Sequence, residues 1–90
     1  MDYQRELLEE FVDKLPEIRK SLKLSQTELG LRVGLSRQSI SSIERRSVPL
    51  NWDTFLAICL VILVNDRDAF KKFDHPERFQ QVIDSLRKNN

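Results

Sequence analysis

Hydrophobic residues along this chain recur at helical spacing and nowhere alternate with period two over a useful length. Tyr3, Leu7, Leu8, Phe11, Val12 and Leu15 fall on one face of a helix over residues 3–14. Proline suits the first turn of a helix and not its interior, so Pro16 predicts a break and a second short helix to Leu22. Ser25 and Glu28 form a capping box, and Gly34 offers a left-handed stop, which together bracket a helix over residues 25–33. Ser36 caps the next helix, which reaches Arg45. A loop through Val48 and Pro49 leads to a helix over residues 51–64. Asn65 and Asp66 stop it and cap a short helix through Phe73. Pro76 opens a last helix with Phe79, Val82, Ile83 and Leu86 on one face. The expected fold class is all-α, a compact bundle of five to seven short helices without strands. At 90 residues the chain makes one domain, 1–90, with an N-terminal amphipathic helix (1–15), a core (16–64) and a C-terminal helical extension (65–90).

The stretch from Gln26 to Arg46 meets the packing demands of a helix-turn-helix. Its turn needs a residue tolerant of positive φ, which Gly34 supplies. Gly30 sits mid-helix, where glycine costs roughly 1 kcal/mol against alanine, so a close helix–helix approach is expected there. Leu29, Val33, Leu35, Ile40 and Ile43 provide the shared core. With Ile40 and Ile43 buried, Gln38, Ser41, Ser42 and Arg45 point outward at 100° per residue, and Arg37 lies on the flank. Gln can pair bidentately with adenine and Arg with guanine, and serines let a helix approach a groove floor closely. A merely solvated face would more often carry Lys and Glu, whereas this one has no Lys and the single acid Glu44.

Charge sharpens this picture. The net charge is only +1, but residues 19–48 hold seven bases against two acids, net +5. Residues 1–18 are net −4, with two bases and six acids, and residues 49–90 balance six of each. Basic charge confined to one segment is what a phosphate-facing surface requires. The longest apolar run, Phe55–Val64, is ten residues, about half of the roughly 20 that a bilayer span needs, and the acidic start does not resemble a signal peptide. One cysteine, Cys59, builds no disulfide framework or metal cluster and fits a reducing cytoplasm. His75 has no second ligand at metal spacing, and Asp74–His75–Pro76 reads as a helix cap. No activated serine, phosphate-cradling glycine loop or paired carboxylate is evident, so no enzyme, cofactor or small-molecule substrate is expected.

Two segments leave alternatives open. The run Phe55–Val64 has no polar stripe, so either flanking helices wrap it or part of it, with the last helix, forms a homodimer seam. The acidic helix over residues 3–14 either completes the core, docks a partner protein, or shields the basic segment.

The stretch IRKSLKLSQTELGLRVGLSRQSISSIERRSVPLNWDTFLAIC, residues 18–59, carries the elements LSQTEL, VGLSRQSIS and IER. It resembles the Cro and lambda-repressor-like family, also called XRE-type regulators. The resemblance implies a lambda-repressor-like DNA-binding domain. In it Gln26 bonds a DNA phosphate, Arg37, Gln38 and Ser42 read bases, and Ser36 and Ser39 cap the recognition helix or touch phosphate. It also implies a partly buried salt bridge between Arg19 and Glu44, and a two-fold dimer on a pseudo-palindromic operator in double-stranded DNA. The chain departs from the family at Arg46, where glycine is common, at Pro16, and in the apolar character of the helix from Asn51. The expected function is a sequence-specific transcriptional regulator, a repressor, reading the major groove with helix 36–45. Its DNA-binding residues are Gln26, Ser36, Arg37, Gln38, Ser39, Ser41, Ser42, Arg45 and Arg46, with Lys23 as a further phosphate contact. The alternative is a protein–protein interaction module, antitoxin-like or anti-repressor, on the same fold.

Overall fold

The computed structural model describes residues 3–88, with side chains through residue 85. Five α-helices follow one another: α1 (Tyr3–Ser21), α2 (Gln26–Val33), α3 (Arg37–Glu44), α4 (Trp52–Asn65) and α5 (Pro76–Lys88). A single 3-10 turn, Ala69–Lys72, lies between α4 and α5, and the described residues contain no strand.

The expected break at Pro16 does not occur, and α1 runs through it. Proline removes one intrahelical hydrogen bond and crowds the preceding turn, at a cost of about 3 kcal/mol. Leu7, Phe11, Val12 and Leu15 before it and Ile18 and Arg19 after it are all buried on the same side. Breaking the helix would swing Ile18 and Arg19 out of that register, so tertiary burial outweighs the local preference.

The α2–α3 pair forms as its caps dictate. Ser25 Oγ accepts the Glu28 N–H at 3.0 Å, and Glu28 Oε1 accepts the Ser25 N–H at 2.9 Å. These bonds hold the Glu28 carboxyl below the usual carboxylate range. Gly34 closes α2 at φ 78°, and the Leu35 N–H donates to the Gly30 carbonyl at 2.8 Å. A Cβ at Gly30 would collide with the Leu35 carbonyl oxygen, which is the close approach the mid-helix glycine implies.

The C-terminal extension is a lid of aromatic rings. Phe70, Phe73 and Phe79 are buried with Phe11 and Phe55. Phe11 meets Phe55 edge-on at 4.9 Å, and Phe73 and Phe79 lie 4.2 Å apart, separations at which ring pairs contribute beyond their buried area. Polar contacts at the surface pin the same elements. The His75 N–H donates to Glu10 Oε2 at 2.9 Å, Arg78 lies 3.8 Å from Glu6, and the Tyr3 hydroxyl donates to Gln81 at 3.3 Å. The acidic helix therefore completes the core through Leu7, Phe11 and Val12 and fastens the extension through Glu6 and Glu10. Val82 packs against the core and Ile83 is buried, as the face of α5 predicts, while the Leu86 side chain lies outside the described residues.

Helix α4 is wrapped on one side only. Phe55, Ile58, Cys59 and Ile62 are buried, and burial pushes the Cys59 thiol pKa up. Trp52 packs at its edge, 4.9 Å from the Phe55 ring. Leu60 remains 50% exposed and Val64 83% exposed. Among the described residues no helix is long and apolar enough to cross a membrane.

Candidate nucleic-acid interface

Helix α3 is held from behind and offered in front. Ile40 and Ile43 are buried in the core shared with Leu29. Behind them Arg19 and Glu44 form an ion pair, Nε to Oε2 at 2.7 Å and Nη2 to Oε1 at 3.1 Å, with side chains only 9% and 6% exposed. Arg19 Nη1 also donates to the Leu24 carbonyl at 2.9 Å. This fork-to-fork pairing ties α1 to the C-terminal end of α3 and orients both groups.

The nine residues singled out from the sequence take different places. Arg37, Gln38 and Arg45 are exposed. Ser36 is the N-cap, accepting the Ser39 N–H at 3.1 Å and donating to Ser39 Oγ at 3.0 Å. Ser41 and Ser42 are half-buried, not turned fully outward as the helical wheel alone suggests, and the Ser47–Pro49 loop folds back beside Ser42. Both the Ser47 N–H and hydroxyl donate to the Ser42 carbonyl, at 2.9 and 3.1 Å. Gln26, the first residue of α2, donates from Nε2 to Glu44 Oε1 at 3.0 Å. One amide proton is thereby committed to the protein, and a primary amide has two. Arg46 is exposed and pairs with Asp13 at 3.3 Å. Its backbone sits at φ 63°, the left-handed region where the family's common glycine is at ease and an arginine is strained.

A cleft of about 370 Å³ gathers Ser36, Gln38, Ser39 and Ser42 along one side of α3. Asn51 and Thr54 form its opposite wall. Sequence reasoning missed these two. Asn51 caps α4 by accepting the Thr54 N–H at 2.8 Å, so the N-x-x-T cap pattern was the available signal. Arg37, Ser41, Arg45, Gln26 and Arg46 lie outside this cleft and surround it only as parts of the same helix pair and its exit loop. The arrangement is a row of short hydroxyls and one carboxamide, bordered by arginines, on a helix whose far side is fixed. It can donate hydrogen bonds to acceptors and place positive charge beside anions. Among the described residues no group of three or more His, Cys, Asp or Glu could hold a metal ion.

The helix-turn-helix family matches residues 17–62, 46 of the 90 residues, from the C-terminal end of α1 through most of α4. No curated protein and no solved structure gives a significant match.

Proposed function

The chain belongs to the helix-turn-helix family of DNA-binding regulators, and from that premise we propose that it is a sequence-specific, cytoplasmic transcriptional repressor acting as a homodimer. Arg37, Gln38 and Ser42, with Arg45 at the far end, read base edges in the major groove. Ser41 stands beside them. Gln26, Ser36, Ser39 and Arg46, with Lys23, hold phosphates and set the register. Asn51 and Thr54, across the cleft, join the phosphate set.

The observation that carries the reading is the contrast between the two sides of α3. Its back is locked by Ile40, Ile43 and the Arg19–Glu44 pair, and its front presents exposed Arg37 and Gln38 over a row of serines. Recognition by preorganised side chains needs both. The bare stripe of α4, Leu60 and Val64 with half-buried Leu56 and Val61, supports a two-fold seam between copies.

Fluorescence anisotropy on duplex DNA tests the assignment. Arg37→Ala or Gln38→Ala is expected to cost roughly 1–3 kcal/mol on the preferred site and to relax preference at one position. Arg46→Gln is expected to weaken all sequences alike and lower the salt slope by about one. Sequence-indifferent binding that vanishes near physiological salt, unchanged by Arg37→Ala, would instead identify the interaction module.

A further inference from the structure

Next to the cleft, and sharing Ile43, Val48 and Pro49 with it, an open groove of about 380 Å³ runs between the N-terminal half of α1 and the loop that leaves α3. Leu8, Val12 and Ile43 line its floor, with Val48 and Pro49 on the loop side. Val48 is 44% exposed and belongs to neither the buried core nor the residues packed against it. The groove is within the roughly 300–1,000 Å³ range of small-molecule sites, and its apolar floor and few polar groups match their character. Its charged lining residues are Arg5, Glu9 and Arg46. Arg46 meets Asp13 through one guanidinium nitrogen at 3.3 Å, on a surface where both side chains are at least half exposed. A guanidinium has five N–H donors, and a carboxylate can take two at once.

We propose that this groove binds a small amphipathic carboxylate, its apolar body on Leu8, Val12 and Val48 and its carboxylate on Arg46. An inorganic anion would leave the apolar floor bare, and an uncharged hydrocarbon would leave the remaining Arg46 donors unused, so the two halves of the site together select the class. Occupancy reaches the nucleic-acid face by two routes. Ile43 belongs to α3 itself, and Arg46 is a phosphate contact in the function proposed above. Only this coupling rests on that function; binding to the groove does not. A carboxylate on Arg46 competes with phosphate, so ligand and DNA weaken each other reciprocally.

The test is an NMR titration of the full chain with sodium octanoate, without DNA, following backbone amides. Saturable shifts are expected at Leu8, Val12, Arg46 and Val48. Val48→Glu, which sets a like charge in the groove, and Val48→Trp, which fills it, should each abolish them while the far-UV circular dichroism stays native. Arg46→Gln should weaken octanoate about tenfold. Saturating octanoate should weaken DNA binding by roughly fivefold or more, the range of ordinary coupling between sites. Absence of saturable shifts overturns the proposal, as do shifts that persist in both Val48 variants or centre on Leu60 and Val64. DNA affinity unmoved by octanoate that fills the groove overturns the coupling and leaves the binding intact. A chain that binds no DNA at all would sink the proposed function without touching the titration.

Discussion

Helices α3 and α4 bury similar faces and show opposite ones. Each fixes itself to the core with isoleucines, Ile40 and Ile43 in one, Ile58 and Ile62 in the other. Outward, α3 presents Arg37, Gln38 and Arg45, while α4 presents Leu60 and Val64. The difference separates what folds a helix from what it meets. Inner faces answer to the core and are interchangeable in kind. An outer face that is polar but free of Lys suits hydrogen bonding to an anionic, acceptor-rich surface. An outer face whose last two turns carry no charge suits a copy of itself, where no like charges oppose one another there.

The largest expected effect tests the back of α3. Arg19→Ala leaves Glu44 buried without its cation and should cost about 3–5 kcal/mol in urea unfolding. Replacing Arg19 and Glu44 together by Met should recover most of that stability yet lower DNA affinity, since Gln26 loses the carboxylate that orients it. Next comes the front of α4. Leu60→Asp removes apolar area from both halves of a two-fold seam and adds facing charges, so sedimentation should show self-association weakened roughly hundredfold, about 3 kcal/mol, with the monomer fold retained. If the variant sediments as the parent does, α4 is not the seam.

Gly30→Ala is smaller, about 1–3 kcal/mol, because the Leu35 carbonyl must move aside and with it the turn that aims α3. Its thermal midpoint should fall with no change in the shape of the unfolding curve. Smallest, and opposite in sign, is Arg46→Gly. It relieves a left-handed arginine, and unfolding should show a gain of about 1 kcal/mol beside a weaker, less salt-dependent hold on DNA.

Much of the fold was legible because its signals are local. The Ser25–Glu28 box, the Ser36 cap and the left-handed Gly34 are each decided within four residues, and all form as their spacing implies. Gly30 was readable because a mid-helix glycine demands a reason, which Leu35 provides. The Arg19–Glu44 pair, 25 residues apart, was legible only through resemblance. Pro16 misled because local preference points to a break, while the six buried residues of α1 that flank it decide otherwise. The half-burial of Ser42 was hidden since a helical wheel knows nothing of the loop that returns beside it. Asn51 and Thr54 were missed for the same reason, their role being set by which helix faces the cleft across from α3. The aromatic lid of Phe70, Phe73 and Phe79 falls outside the family match, and helical periodicity does not say where such rings dock.

Selection of bound duplexes from a random DNA pool, at about 150 mM salt where non-specific phosphate attraction is strongly screened, tests the central claim most directly. The expected result is an enriched palindrome whose half-sites lie about 34 Å apart, one turn of DNA, with its preference degraded by Arg37→Ala. No enrichment from folded protein would contradict base reading by α3 and turn attention to the apolar stripe of α4 as the surface that matters.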